Sequence, residues 1–136
     1  MNKVHAIGLI VVALLVVNFV VVPAGAAQGQ TKQEYKISFR TEPSPAKGSG
    51  ENMFHVSVAD SAGKSISDAA VKITVVMPAM PEMNMAEMKV TPTVAWNGSD
   101  YSGKANVPSA GVWNVDVQIL KQDRVIASKK FQFMAK

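Results

Sequence analysis

Polar and apolar residues alternate with a period of two over most of the chain beyond residue 34. In YKISFRT, Tyr35, Ile37 and Phe39 are interleaved with Lys36, Ser38 and Arg40, which predicts a strand with one buried face. NMFHVSVA repeats the pattern, with Phe54, Val56 and Val58 on one face and Met53, His55 and Ser57 on the other. AVKITVVM puts Val71, Ile73, Val75 and Met77 on a common face. KVTPTVAW carries Val90, Val94 and Trp96 at even spacing, and Pro92, which has no N–H to give a ladder, predicts an edge position or a bulge. GVWNVDVQIL aligns Trp113, Val115, Val117 and Ile119 inward, and VIASKKFQF closes with Phe131 and Phe133 on one face. Turn signals separate these runs: EPSPAKGSGE, DSAGKS, NGSD, PSAG and KQDR. No stretch after the first 34 residues repeats at 3.6. About seven short strands with this spacing predict an all-β fold, an immunoglobulin-like β-sandwich.

The opening of the chain follows another rule. A predominantly apolar run from Ala6 to Val22 follows Lys3 and precedes the small residues Ala24, Gly25 and Ala26. That layout predicts a secretory signal cleaved after Ala26 or Ala27, or an uncleaved N-terminal anchor helix formed by residues 6–22. Both readings export the rest, to a periplasmic or extracytoplasmic compartment. The expected organisation is therefore a signal peptide or membrane anchor at 1–27, a polar tether at 28–34 and one β-sandwich domain at 35–136.

Composition narrows the chemistry. The chain has no cysteine, so disulfides, thiolate metal ligands and lipid-modified cysteine are absent, and packing alone must hold the domain. Thirteen basic residues follow the leader against ten acidic ones. They are scattered, with no run longer than Lys129-Lys130, and lack the clustered basic face that nucleic-acid binding requires. Asn97-Gly98-Ser99 matches a glycosylation acceptor but reads first as a hairpin turn.

Several short motifs occur in a fixed order: Gly50-Glu51-Asn52, Asp60-x-x-Gly63-Lys64, Asp68-Ala69-x-Val71, Met77-Pro78-x-Met80, the Tyr101 strand and Ala110-Gly111-x-Trp113. In this order the chain, over roughly residues 35 to 134, resembles the YtkA-like domain, which is related to the FixH family. The resemblance implies an extracytoplasmic immunoglobulin-like sandwich. FixH-like members are associated with assembly of a copper-containing respiratory oxidase and with a copper-transporting pump, so the resemblance also implies an envelope membrane protein as partner.

The residues themselves offer one concentrated chemistry. MPAMPEMNMAEM holds Met77, Met80, Met83, Met85 and Met88. A thioether is a soft, uncharged ligand that stays unprotonated at any pH and suits Cu(I). Met77 continues the inward face of its strand and belongs to the core, and Met80 plugs the end of the sandwich. Met83, Met85 and Met88 carry the functional weight, because no strand face claims them. His55 is the one imidazole beyond the leader and reads as a solvated surface side chain or as a further ligand with Met53. No glycine elbow surrounds a serine and no acid is placed by sequence to orient His55, so no catalytic residue is assigned and no enzyme is expected. The candidate metal set is Met80, Met83, Met85, Met88 and His55, with Cu(I) or a similar soft metal as the cation. Two functions follow: copper handling with an efflux system, a copper pump or an oxidase assembly factor, or a metal-free adaptor docking to an envelope complex.

Overall fold

The computed structural model describes residues 33–136. The expected signal or anchor helix at 1–27 lies outside the described residues, as does the tether up to residue 32. Among the described residues there are eight strands: β1 (Lys36–Glu42), β2 (Gly50–Ala59), β3 (Ala70–Met77), β4 (Met88–Val90), β5 (Ala95–Trp96), β6 (Tyr101–Val107), β7 (Gly111–Lys121) and β8 (Arg124–Ala135). They form two four-stranded sheets, ordered β1-β2-β6-β5 and β4-β3-β7-β8, with every strand pair antiparallel. The domain is an all-β sandwich. Among the described residues no helix is long and apolar enough to cross a membrane.

The count of eight strands rather than about seven comes from Pro92. The run expected as one strand is split into β4 in one sheet and β5 in the other. Residues 91–94 make the crossing, with Thr93 bridged to Lys72 on the way. The other turns match their sequences. At the β7–β8 hairpin, Gln122 and Asp123 both take positive φ, 50° and 60°, the conformation whose twist suits a two-residue connection.

Alternation sets the core. Phe54, Val56 and Val58 of β2, Ile73, Val75 and Met77 of β3, and Trp113, Val115, Val117 and Ile119 of β7 are all buried between the sheets. Phe39 of β1 lies 5.6 Å from Phe131 and 6.0 Å from Phe133 of β8, ring centre to ring centre, and closes the seam where the two sheets meet at their edges. Two polar side chains inside tie loops to this core. Asn52 accepts from the Lys47 N–H at 2.7 Å and donates to the carbonyls of Lys47 and Gly50, holding the β1–β2 loop. The Tyr101 hydroxyl donates to the Ile66 carbonyl at 2.9 Å and accepts from the Ala69 N–H at 3.2 Å, holding the β2–β3 connection.

The crossing segment also sets a hard limit at Gly103 of β6. A Cβ added there would lie 1.9 Å from the Thr93 carbonyl oxygen and 3.1 Å from the Val94 Cα. Both are backbone atoms and cannot rotate away. Gly103→Ala is therefore expected to destabilise the domain by about 2 kcal/mol or more, read as a lower midpoint of urea unfolding. Gly63→Ala meets no neighbour within 4 Å and is the control for strain from positive φ alone.

Candidate functional site

The methionine stretch folds as the β3–β4 hairpin. Its ladder pairs Val75 with Val90, Val76 with Lys89 and Met77 with Met88. Pro78 has no N–H to contribute, and regular pairing stops there. It resumes once, where the Met80 N–H donates to the Met85 carbonyl at 2.8 Å and the Met85 N–H donates back at 3.0 Å. A short 3-10 turn over Pro81–Met83 closes the hairpin, and Asn84 leaves it in the left-handed conformation at φ 53°, which a short polar side chain tolerates. In a regular strand a spacing of three would turn Met80 to the face opposite Met77. The break at Pro78 removes that constraint, and Met80, Met85 and Met88 all pack against the core. From Pro78 to Glu87 every residue except Met80 and Met85 is exposed.

The hairpin therefore sets four of its five methionines in two cross-strand pairs, Met77 with Met88 and Met80 with Met85. The first pair converges on one hydroxyl: Ser109 Oγ lies 3.7 Å from the Met77 sulfur and 4.0 Å from the Met88 sulfur. Ser109 is fixed in turn by its carbonyl, which accepts from the Trp113 indole N–H at 3.1 Å. Gly111, at φ +130°, leaves room for Met77, because a Cβ there would come within 2.7 Å of its methyl carbon. Met77 is buried, as its strand face requires. Met88 is claimed by β4 and Met85 by its bridge to Met80, so the expectation that no strand face takes them does not hold. Met83 alone stands out, 66% exposed at the tip beside Glu82.

His55 is not brought to the methionines. It lies on the outer face of the other sheet, in register with Arg40 of β1 and Ser102 of β6, across the core from β3 and β4. It is also not a solvated side chain: only 9% of it is exposed. Its Nδ1 donates to Asp100 Oδ2 at 3.1 Å, so an acid does orient the ring. Asp100 is itself buried and held by the 97–100 turn, in which Asn97 Nδ2 donates to Asp100 Oδ1 at 2.7 Å. Asn97 Oδ1 accepts from the N–H groups of Ser99 and Asp100, and its Nδ2 also donates to Ser102 Oγ. The amide of the apparent glycosylation acceptor is thus spent on the turn. On the other side of the ring, His55 Nε2 has no hydrogen-bond partner among the described residues, although Glu42 Oε2 sits 3.3 Å away. Arg40 spans both acids, 3.4 Å from Asp100 and 3.8 Å from Glu42.

This cluster was hidden in the sequence because its members are 13, 45 and 60 positions apart. The only signal was the turn string NGSD, whose last residue points back onto the sheet. The chemistry available is therefore divided: soft thioethers at the hairpin, nitrogen and oxygen donors on the outer face of the opposite sheet.

A family model described as YtkA-like matches residues 29–118. No curated protein and no solved structure matches the chain.

The turn that holds Asp100 can be tested directly. Asn97→Ala removes the two side-chain bonds to the turn N–H groups and those to Asp100 and Ser102, and is expected to cost about 1–3 kcal/mol in urea unfolding followed by tryptophan fluorescence.

Proposed function

We infer that this chain, which belongs to the YtkA-like family, is an exported carrier of a soft monovalent cation, Cu(I) being the physiological case, and that the β3–β4 hairpin is where the ion is held. The observation that carries this reading is the paired placement of Met77 with Met88 and Met80 with Met85, with two sulfurs beside the single Ser109 hydroxyl. The donor set suits such a cation. Thioethers are soft, carry no charge and hold no proton, so their affinity is insensitive to pH and they persist in an oxidising compartment where thiols are consumed. Met80, Met85 and Met88, half-buried at the hairpin, would hold the ion, with the buried Met77 sulfur behind them. Met83 at the exposed tip is the first sulfur an approaching partner meets, so exchange with an efflux system, a copper pump or an oxidase assembly factor would begin there. The chain acts as a carrier and not as an enzyme.

The finer architecture we propose is immunoglobulin-like. The order β1-β2-β6-β5 against β4-β3-β7-β8 corresponds to strands A-B-E-D against C′-C-F-G of that fold. A second reading, a metal-free adaptor, is favoured by one observation. Val112 and Met134 are cross-strand partners on the outer face of the β7–β8 pair, and both are about half exposed, which offers an envelope protein an apolar surface.

An anaerobic Cu(I) titration against a chromophoric chelator separates the two. Near-stoichiometric binding is expected, weakened about tenfold or more by Met85→Leu or Met88→Leu and less by Met83→Leu, since leucine keeps the volume and loses the sulfur. Undiminished binding in a folded Met80/Met85/Met88→Leu variant would exclude the hairpin as the site.

A further inference from the structure

The ring of His55 presents a second, chemically different possibility, independent of the methionines. Its Nδ1 side is complete, with the N–H donated to the buried carboxylate of Asp100. Its Nε2 side is not: the atom is buried and has no hydrogen-bond partner among the described residues. The carboxylate oxygen Glu42 Oε2 lies 3.3 Å away but does not align as a hydrogen bond. A buried ring nitrogen is costly to leave without a partner.

We propose that His55 Nε2 and the Glu42 carboxylate hold a divalent cation of intermediate hardness, of the Zn²⁺ class. Three features of the site support this. The first is distance. Nitrogen and oxygen ligands bound at about 2.0–2.1 Å to a tetrahedral ion lie about 3.3–3.4 Å apart, and the two donor atoms are 3.3 Å apart. The second is the support behind the ring. A metal-binding histidine characteristically gives its other N–H to a carboxylate, which fixes the tautomer and raises the basicity of the ligating nitrogen. Asp100 does this, and Asn97 holds Asp100 in place. The third is charge. The side chains of Glu42, Asp100 and Arg40 sum to −1 around the ring, so the site attracts a cation.

Arg40 is the competitor. Its Nη1 is 3.8 Å from the same Glu42 oxygen. The contact is long, and the Arg40 side chain is 60% exposed, so it can swing into solvent while the cation takes its place. The Glu42 side chain is 67% exposed, so its carboxylate is in contact with solvent. A site with two protein ligands and open positions binds reversibly and exchanges with solvent.

The test is calorimetric titration of the purified protein with ZnCl₂, run beside a His5→Gln control that removes the chain's other imidazole. One equivalent is expected, with binding lost in His55→Gln and unchanged in Met85→Leu/Met88→Leu. Because His55 is buried and its replacement can unfold the domain, Glu42→Gln is the decisive variant. It alters an exposed carboxylate and should weaken binding about tenfold or more, and Asp100→Asn should weaken it within the 10–100-fold range usual for a supporting carboxylate. A Zn²⁺-induced rise in Tm present in the parent and absent in Glu42→Gln would agree. Absence of binding, equal affinity in Glu42→Gln and the parent, or binding that disappears with the methionines would each overturn the proposal.

Discussion

The apolar layer shared by the two sheets is the constraint on which every other feature rests. The chain has no cysteine, so no covalent bridge limits the unfolded state, and burial must offset nearly the whole entropy of ordering the domain. Phe54, Val56, Ile73, Val75, Trp113, Val115, Val117 and Ile119 supply that burial from β2, β3 and β7. Because side chains alternate with a period of two, a slip of one residue in any of these strands would carry its apolar set into water. The core therefore fixes the register, and the register fixes the outer faces. Arg40, His55 and Ser102 stand in a row because Phe39 and Phe54 on neighbouring positions must point inward.

The methionine hairpin shows the same constraint being released locally. Up to Met77 the strand obeys the core's period, and its side chain is buried. Pro78 then breaks the ladder, and the chain is free to choose faces by packing instead of pleat. Methionine is suited to that position, since three rotatable bonds and a polarisable sulfur let it fill an irregular gap at the end of a sandwich. Packing and chemistry coincide here. Met80, Met85 and Met88 all pack against the core, so substitution by leucine removes the sulfur and keeps most of the packing, where substitution by alanine removes both.

What could be read from the sequence was what depends on local periodicity. The inward faces of β2, β3 and β7 and the positions of the turns follow from alternation and from Gly, Pro, Asn and Asp. Pro92 marked its strand as irregular, but alternation on both sides of it gave no sign that the chain changes sheets there. The pairing of Met80 with Met85 was illegible because it depends on a left-handed Asn84 and an interrupted ladder, which no hydrophobic pattern encodes. His55 was misjudged for a related reason. Its outward parity was right, but exposure on a sheet face is decided by cross-strand neighbours, and these come from β1 and the 97–100 turn, remote in sequence. Outward on an inner strand, flanked by long polar side chains, means buried among polar groups and not solvated.

The separation of the two donor sets has a chemical consequence. A cluster of thioethers offers no charge, so it has little to give a hard or doubly charged ion that must surrender its hydration shell, but it binds a soft monovalent ion through polarisability. An imidazole beside two carboxylates offers the reverse: borderline and hard donors with negative charge, favouring a dication and disfavouring Cu(I). Their placement on opposite sheets, with the apolar core between, keeps the two donor sets apart. The register of the sandwich thus sends its soft and its harder donors to opposite sheets.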